Sequence, residues 1–390
     1  MGVYETLFRF ADATGKYMGD AGTRPWAQGY PLTSQIPGGP PLPTSVPLGP
    51  SDLKYPKATG EPELLTAITD YYNHFYDAGI TTDNVAVFAG GRPAIFATLA
   101  FLLEDTTVAV ESTEYTPYYD ILNVLEHRVH LIPSNIGNRF RPAPDLYDIE
   151  PLDGTSRVML VKSNPCNPTG VTCSGEELKT LVDRFSGEDR SALIDEAYEF
   201  YGDPAPESAL RHIEDIDATN IFVIGAATKG LQVPGMRIGW AIAAREHIEI
   251  FRNYSSFGMG GVSRPSQLYV TELLEPERVA WARKAICRFY LQQRQRYGDG
   301  LAQLGLELFT GNGGFYHWAR LPDDLTGDQL NDRLFEHGAG ILPGRLCDMA
   351  RSADRKSDLD NIIRFSFGPL SPESYDSDME ILERCLTRRG

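Results

Sequence analysis

Short runs of β-branched and aliphatic residues recur along the middle of the chain, namely VAVFAG, TVAVES, VHLIPS, RVMLVKSNP, ALIDEA, IFVIGAAT and IGWAIA, with helical stretches between them. Near-continuous apolar strands that alternate with helices predict a mainly parallel sheet covered on both faces. The last two runs are joined by a loop too short for a helical crossover, so they are expected to pair antiparallel. After about Pro265 the pattern turns to long amphipathic helices, for example Glu277 to Leu304. Next comes ELFTGNGGFYHWARL, which alternates around a glycine turn as a hairpin does. These features predict a smaller α+β unit at the C-terminal end. The first ~50 residues, notably IPGGPPLPTSVPLGP, favour extended and turn conformations over long helices, which predicts a draped arm. The expected organisation is an arm with part of the small domain over residues 1–50, a large domain over 51–270 and a small domain over 271–390.

A length of 390 residues with 42% apolar content supports a substantial core divided between two domains. The net charge of −17 opposes attraction to nucleic acid or anionic membrane, so neither is an expected partner. Apolar runs such as Ile221 to Ala227 are strand-sized, and the first residues lack a basic segment followed by an apolar one. A cytoplasmic location is expected. Cys166, Cys173, Cys287, Cys347 and Cys385 are scattered and odd in number, unlike a secreted disulfide framework. His127 and His130 have a ligand-like spacing with no nearby Cys or carboxylate cluster, so no metal site is expected. Gly258, Gly260 and Gly261 in FGMGGVS do not complete a dinucleotide fingerprint and read as a flexible connection.

Polar residues gather where the parallel strands should end, the rim at which open α/β sheets bind ligands. Gly90-Gly91-Arg92-Pro93 opens a helix whose N–H groups suit an anion. Asn164-Pro165-Cys166-Asn167-Pro168-Thr169-Gly170 forms a rigid loop that presents amides. Asp195 ends the ALID strand, with Tyr198 three residues on, and a buried carboxylate there needs a cation or a donor such as a cofactor nitrogen. Lys229 follows IFVIGAAT, where lost hydration favours a neutral amine able to attack a carbonyl. Arg237, in PGMRIGW, suits a phosphate.

In their order, NPCNPTG, DEAY, ATKG and PGMRIGW resemble the class I/II aminotransferases, fold-type I enzymes dependent on pyridoxal 5′-phosphate (PLP) and related to aspartate aminotransferase; the resemblance runs from about Pro37 to Phe367. It implies that Lys229 is the Schiff-base lysine, that Asp195 partners the pyridine nitrogen and that Asn167 and Tyr198 bond the phenolic oxygen. Tyr115 would stack on the ring, while Gly91, Arg92, Pro93 and Arg237 belong to the phosphate cup. Tyr55 would reach the phosphate of a neighbouring subunit, which implies a homodimer. Arg364, in IIRFSFG, would clamp the substrate α-carboxylate, with Gly38 approaching the substrate beside Asn167, and GGFYHW resembles the small-domain hairpin of the family.

Three features depart from the pattern. Ala226 stands where many members have a phosphate-binding hydroxyl, leaving Thr228 as the nearer one; the cup reads GGRP; and the IPGGPP arm is atypical. The expected reaction is transfer of an amino group from an L-α-amino acid to a 2-oxo acid. The alternatives are PLP-dependent elimination, replacement or cyclisation, and a noncatalytic regulator that keeps the fold, against which the retained lysine argues. Arg264 reads as a solvated or interface residue, or as one that meets an acidic substrate side chain.

Overall fold

The computed structural model describes residues 2–203, 205–322, 325–352 and 356–387. A seven-stranded sheet is built from β1 (Val85–Phe88), β2 (Thr106–Glu111), β3 (Arg128–Ile132), β4 (Arg157–Ser163), β5 (Arg190–Asp195), β6 (Ile221–Ala226) and β7 (Gly239–Ile242), in the order β1-β7-β6-β5-β4-β2-β3. Only β7 runs against the others, pairing antiparallel with both β1 and β6. Alternate side chains enter two separate cores. Val85, Val87, Val158, Leu160, Ala192 and Ile194 lie in one, while Ala86, Phe88, Met159, Val161 and Leu193 lie in the other. The period-2 alternation thus continues beneath the unbroken apolar runs, with both faces buried.

The helices are α1 (Val3–Thr14), α2 (Pro62–Tyr76), α3 (Gly91–Ala100), α4 (Thr116–Val124), α5 (Glu176–Arg184), α6 (Arg245–Tyr254), α7 (Arg264–Leu273), α8 (Pro276–Gln303), α9 (Gly327–Phe335) and α10 (Tyr375–Thr387). The long α8 starts where expected, with proline at its first position and the Glu275 carboxylate accepting from Arg278 N at 2.9 Å. A second, antiparallel sheet comprises β8 (Glu307–Leu308), β9 (Tyr316–Arg320), β10 (Leu342–Pro343) and β11 (Ile362–Ser366), in the order β10-β11-β9-β8. Tyr297 of α8 packs on Phe365 of β11 at 5.4 Å between ring centroids. The predicted hairpin forms between β8 and β9, but its glycine connection is long and docks on the NPCNPTG loop, Gly311 N donating to Thr169 O and Gly313 N to Gly170 O, both at 2.8 Å.

The start of the chain differs from the expectation. Residues 3–14 contain neither proline nor glycine, which leaves room for the three turns of α1, and Gly15 closes the helix at φ 69°. Phe10 of α1 is fully buried and meets Phe335 edge-on at 5.5 Å. FGMGGVS is also less irregular than expected, because Ser255–Met259 continues α6 as one π-helical turn. No helix among the described residues is long and apolar enough to cross a membrane.

Candidate active site

Because β7 alone is reversed, the C-terminal ends of β1, β2, β4, β5 and β6 share one rim with the start of β7, where Gly239 stands opposite Phe88 and Ala226. A cavity of about 460 Å³ opens at this rim. Gly91, Arg92, Tyr115, Asn167, Asp195, Tyr198, Thr228, Lys229 and Arg237 line it, brought together from six separate segments at the strand ends, and Ala226 is there too. Arg364 lines an adjoining recess of about 90 Å³ together with Arg92, Asn167, Tyr198 and Lys229.

One end of the cavity is built from backbone in close approach. The chain turns from β1 into α3 through Gly90 at φ 105°, a conformation that L side chains rarely adopt. A Cβ on Gly239 would collide with the backbone of Gly90 and Gly91. Arg237 lies over Gly90 and is held by Pro234 O at 2.9 Å and Ala89 O at 3.3 Å. A helix N-terminus, glycine backbone and a guanidinium make an anion cradle. Arg92 donates to the Tyr115 hydroxyl at 2.9 Å.

The floor carries Asp195, buried and accepting from Ala197 N and from the Tyr118 hydroxyl, both at 3.1 Å. Burial raises its carboxyl pKa, and those two donors oppose the rise. Lys229 lies in the turn after β6, its Nζ donating to Gly29 O. Burial, then the charges of Arg364 and Arg92, lower its pKa to about 7, with Asp195 pulling the other way. At neutral pH much of this amine is therefore unprotonated.

Opposite Lys229, the Tyr198 hydroxyl meets the Tyr316 hydroxyl and accepts from Asn167 Nδ2 at 3.3 Å. Arg364 of β11 is buried, donating to Asn167 Oδ1 at 2.7 Å and to Ala27 O at 2.6 Å, and its guanidinium lies 4.2 Å from the Tyr316 ring centroid. Its Nε makes no hydrogen bond.

Four sequence candidates lie away from the cavity lining. Pro93 occupies the third position of α3 and shapes the turn without lining the site. Tyr55 is 96% exposed and lines neither cavity. Gly38 accepts from Trp281 Nε1 through its carbonyl and lines neither cavity. The glycine of the N-terminal segment that reaches the site is Gly29, where a side chain would meet Tyr316 and Arg364. Arg264, the first residue of α7, is likewise turned elsewhere, binding Asp52 at 2.8 Å and Glu61.

Sequence reasoning missed Tyr118 and Tyr316, and it missed Val3, Tyr4 and Leu7 of α1, which line the cavity. Tyr118 follows Tyr115 by one helical turn, and Val3 and Leu7 share one helix face. Those spacings were the available signals.

Residues 46–376 match the family model described as aminotransferase class I and II. The valine–pyruvate aminotransferase of Mycobacterium tuberculosis is 28% identical over 333 residues, covering 82% of this chain and 80% of that protein. The aspartate aminotransferase of Pyrococcus horikoshii is 25% identical over 296 residues, 74% of each. Among solved structures, the aspartate aminotransferase from Thermus thermophilus with maleate superposes with a TM-score of 0.82 over 99% of this chain and 97% of that one, at 21% identity. The sheet with its single reversed strand, the lysine-bearing cavity at its rim and a family match across most of the sequence lead to one conclusion: the chain belongs to the class I and II aminotransferase family, whose members depend on PLP.

Proposed function

We propose that this chain moves an amino group from an L-α-amino acid to a 2-oxo acid, using PLP bound covalently to Lys229. The observation that carries this reading is a buried lysine of depressed pKa in one cavity with a buried aspartate and a carboxylate-sized arginine site. The residues fit PLP. Asp195 has only neutral donors as hydrogen-bond partners and makes no ion pair among the described residues, so a protonated ring nitrogen would supply the missing counter-charge. Gly91, Arg237 and the start of α3 suit the phosphate, Thr228 and Arg92 add donors, and Tyr115 has the place of a stacking ring. When bound, PLP withdraws electrons from the substrate Cα so that its proton can be removed. The amine of Lys229 is placed to take and return that proton, and burial already lowers its pKa to about 7 in the cofactor-free chain. Asn167 and Tyr198 are the donors for the ring oxygen, and Arg364 is the fork that holds and orients the α-carboxylate.

The test is a screen of amino acids for conversion of bound PLP to its amine form, with identification of the carbon product. Formation of a 2-oxo acid in step with the amine form supports transamination. Release of ammonia or a rearranged product without that form would shift the reading to elimination, replacement or cyclisation.

The exposure of Tyr55 outside its own cavity supports a homodimer in which it completes the neighbour's phosphate site. Mixing Tyr55→Ala with Lys229→Ala chains should then restore activity in hybrids, where one site has both residues, and no recovery in verified hybrids would contradict the shared site. With residues 51–270 as the cofactor-binding domain, the acidic charge and five cysteines that form no disulfide among the described residues support a cytoplasmic enzyme, and the amino-transfer reading supports a role in amino-acid biosynthesis.

A further inference from the structure

Beneath the rim lies a carboxyl group that the reaction does not use. Glu114 stands between the end of β2 and the start of α4 with no exposed surface. It makes no ion pair among the described residues, since the neighbouring cation Lys162 pairs with Glu111. Three donors converge on it. Tyr115 N lies 2.6 Å from Oε2, Ser163 N lies 2.8 Å from Oε1, and the Ser163 hydroxyl lies 2.7 Å from Oε2. The oxygen of that hydroxyl accepts in turn from Asn167 N at 3.0 Å.

These donors belong to the two rim segments that carry Tyr115 and Asn167. Burying a carboxyl costs free energy unless donors compensate, so retaining one here ties the two segments to a common point. Burial and Glu111 push this carboxyl up to about 8, while Lys162 and the N–H groups of Ser163 and Tyr115 oppose the rise. Asn167 extends the chain of contacts, since it also accepts from Arg364 and donates to Tyr198.

We propose that Glu114 is a positioning residue, whose carboxyl group locks the loop bearing Tyr115 to the loop bearing Asn167 and so fixes the plane in which the cofactor ring is held. The proposal rests on the reading of this cavity as the PLP site.

Glu114→Gln keeps the shape but sets an NH₂ group against backbone N–H donors. Apoprotein titrated with PLP should show an affinity loss of about tenfold, the scale of one unsatisfied buried donor. The visible spectrum of the bound cofactor at fixed pH should shift, because the donor to its ring oxygen has moved. In an Asn167→Ala background the same change should cost at least threefold less, because the two residues act on one contact. Unchanged affinity and spectrum, equal losses in both backgrounds, or a lowered unfolding midpoint with a normal spectrum would each overturn the proposal. If Glu114→Gln does not fold, Ser163→Ala interrupts the same relay and should shift the spectrum in the same direction; an unaltered spectrum would refute the role. Wild-type protein that fails to take up PLP would remove the reading of the cavity itself, a result distinct from a normal wild type with an indifferent variant.

Discussion

Replacing Lys229 with methionine should stabilise the apoprotein while abolishing covalent capture of the cofactor. The amine falls from 10.5 to about 7 in the folded chain, so between those values the unfolded chain binds more protons and stability rises with pH. The cost is absent above the unfolded pKa and fully present below the folded one. At about 1.4 kcal/mol per unit, the burden is roughly 4–5 kcal/mol at pH 6 and about 2 kcal/mol at pH 9. Methionine relieves it but forfeits the bond to Gly29 O, about 1 kcal/mol, leaving a net gain of about 4 kcal/mol at pH 6 and about 1 kcal/mol at pH 9. The attraction between Lys229 and Asp195 is already contained in the value of about 7. Urea unfolding of both apoproteins at the two pH values, at matched slopes, measures the difference. A variant no more stable than wild type, or a gain independent of pH, would refute the reasoning.

Two further outcomes are expected. Arg364→Ala should raise the KM for the amino acid by at least about a hundredfold while changing PLP affinity little, if the buried guanidinium holds the substrate α-carboxylate as proposed; equal losses of both affinities, measured by steady-state kinetics and apoenzyme titration, would contradict that role. Arg92→Ala should weaken PLP binding by about tenfold, and Ala226→Ser, which adds a hydroxyl to the cavity, should recover part of the loss, the coupling being read from a double-mutant cycle.

The parallel sheet was legible because strands buried on both faces leave unbroken apolar runs, and the reversed β7 because the nine residues between IFVIGAAT and IGWAIA are too few for a helical crossover. Lys229, Asp195 and Asn167 stood out because strand ends converge on one rim. Helix α1 was hidden by reading the arm as one composition, although its proline and glycine lie mainly beyond Gly15. Gly29 was overlooked in favour of Gly38 because neither carries a local signal. The choice is made by distant packing, with Trp26 against Phe365 at 5.3 Å and Arg364 bonded to Ala27 O. The partners of Asp195 and Tyr198, namely Tyr118 and Tyr316, depend likewise on how separate elements meet. Glu114 could not be distinguished from a surface glutamate, because only the fold brings Ser163 beneath it.

The central claim is that Lys229 carries the cofactor. Purified protein incubated with PLP, reduced with borohydride and digested should yield one labelled peptide, with the pyridoxyl group on Lys229 and a yellow colour lost on reduction. A label on another lysine, or none on a protein that has bound PLP, would contradict the account.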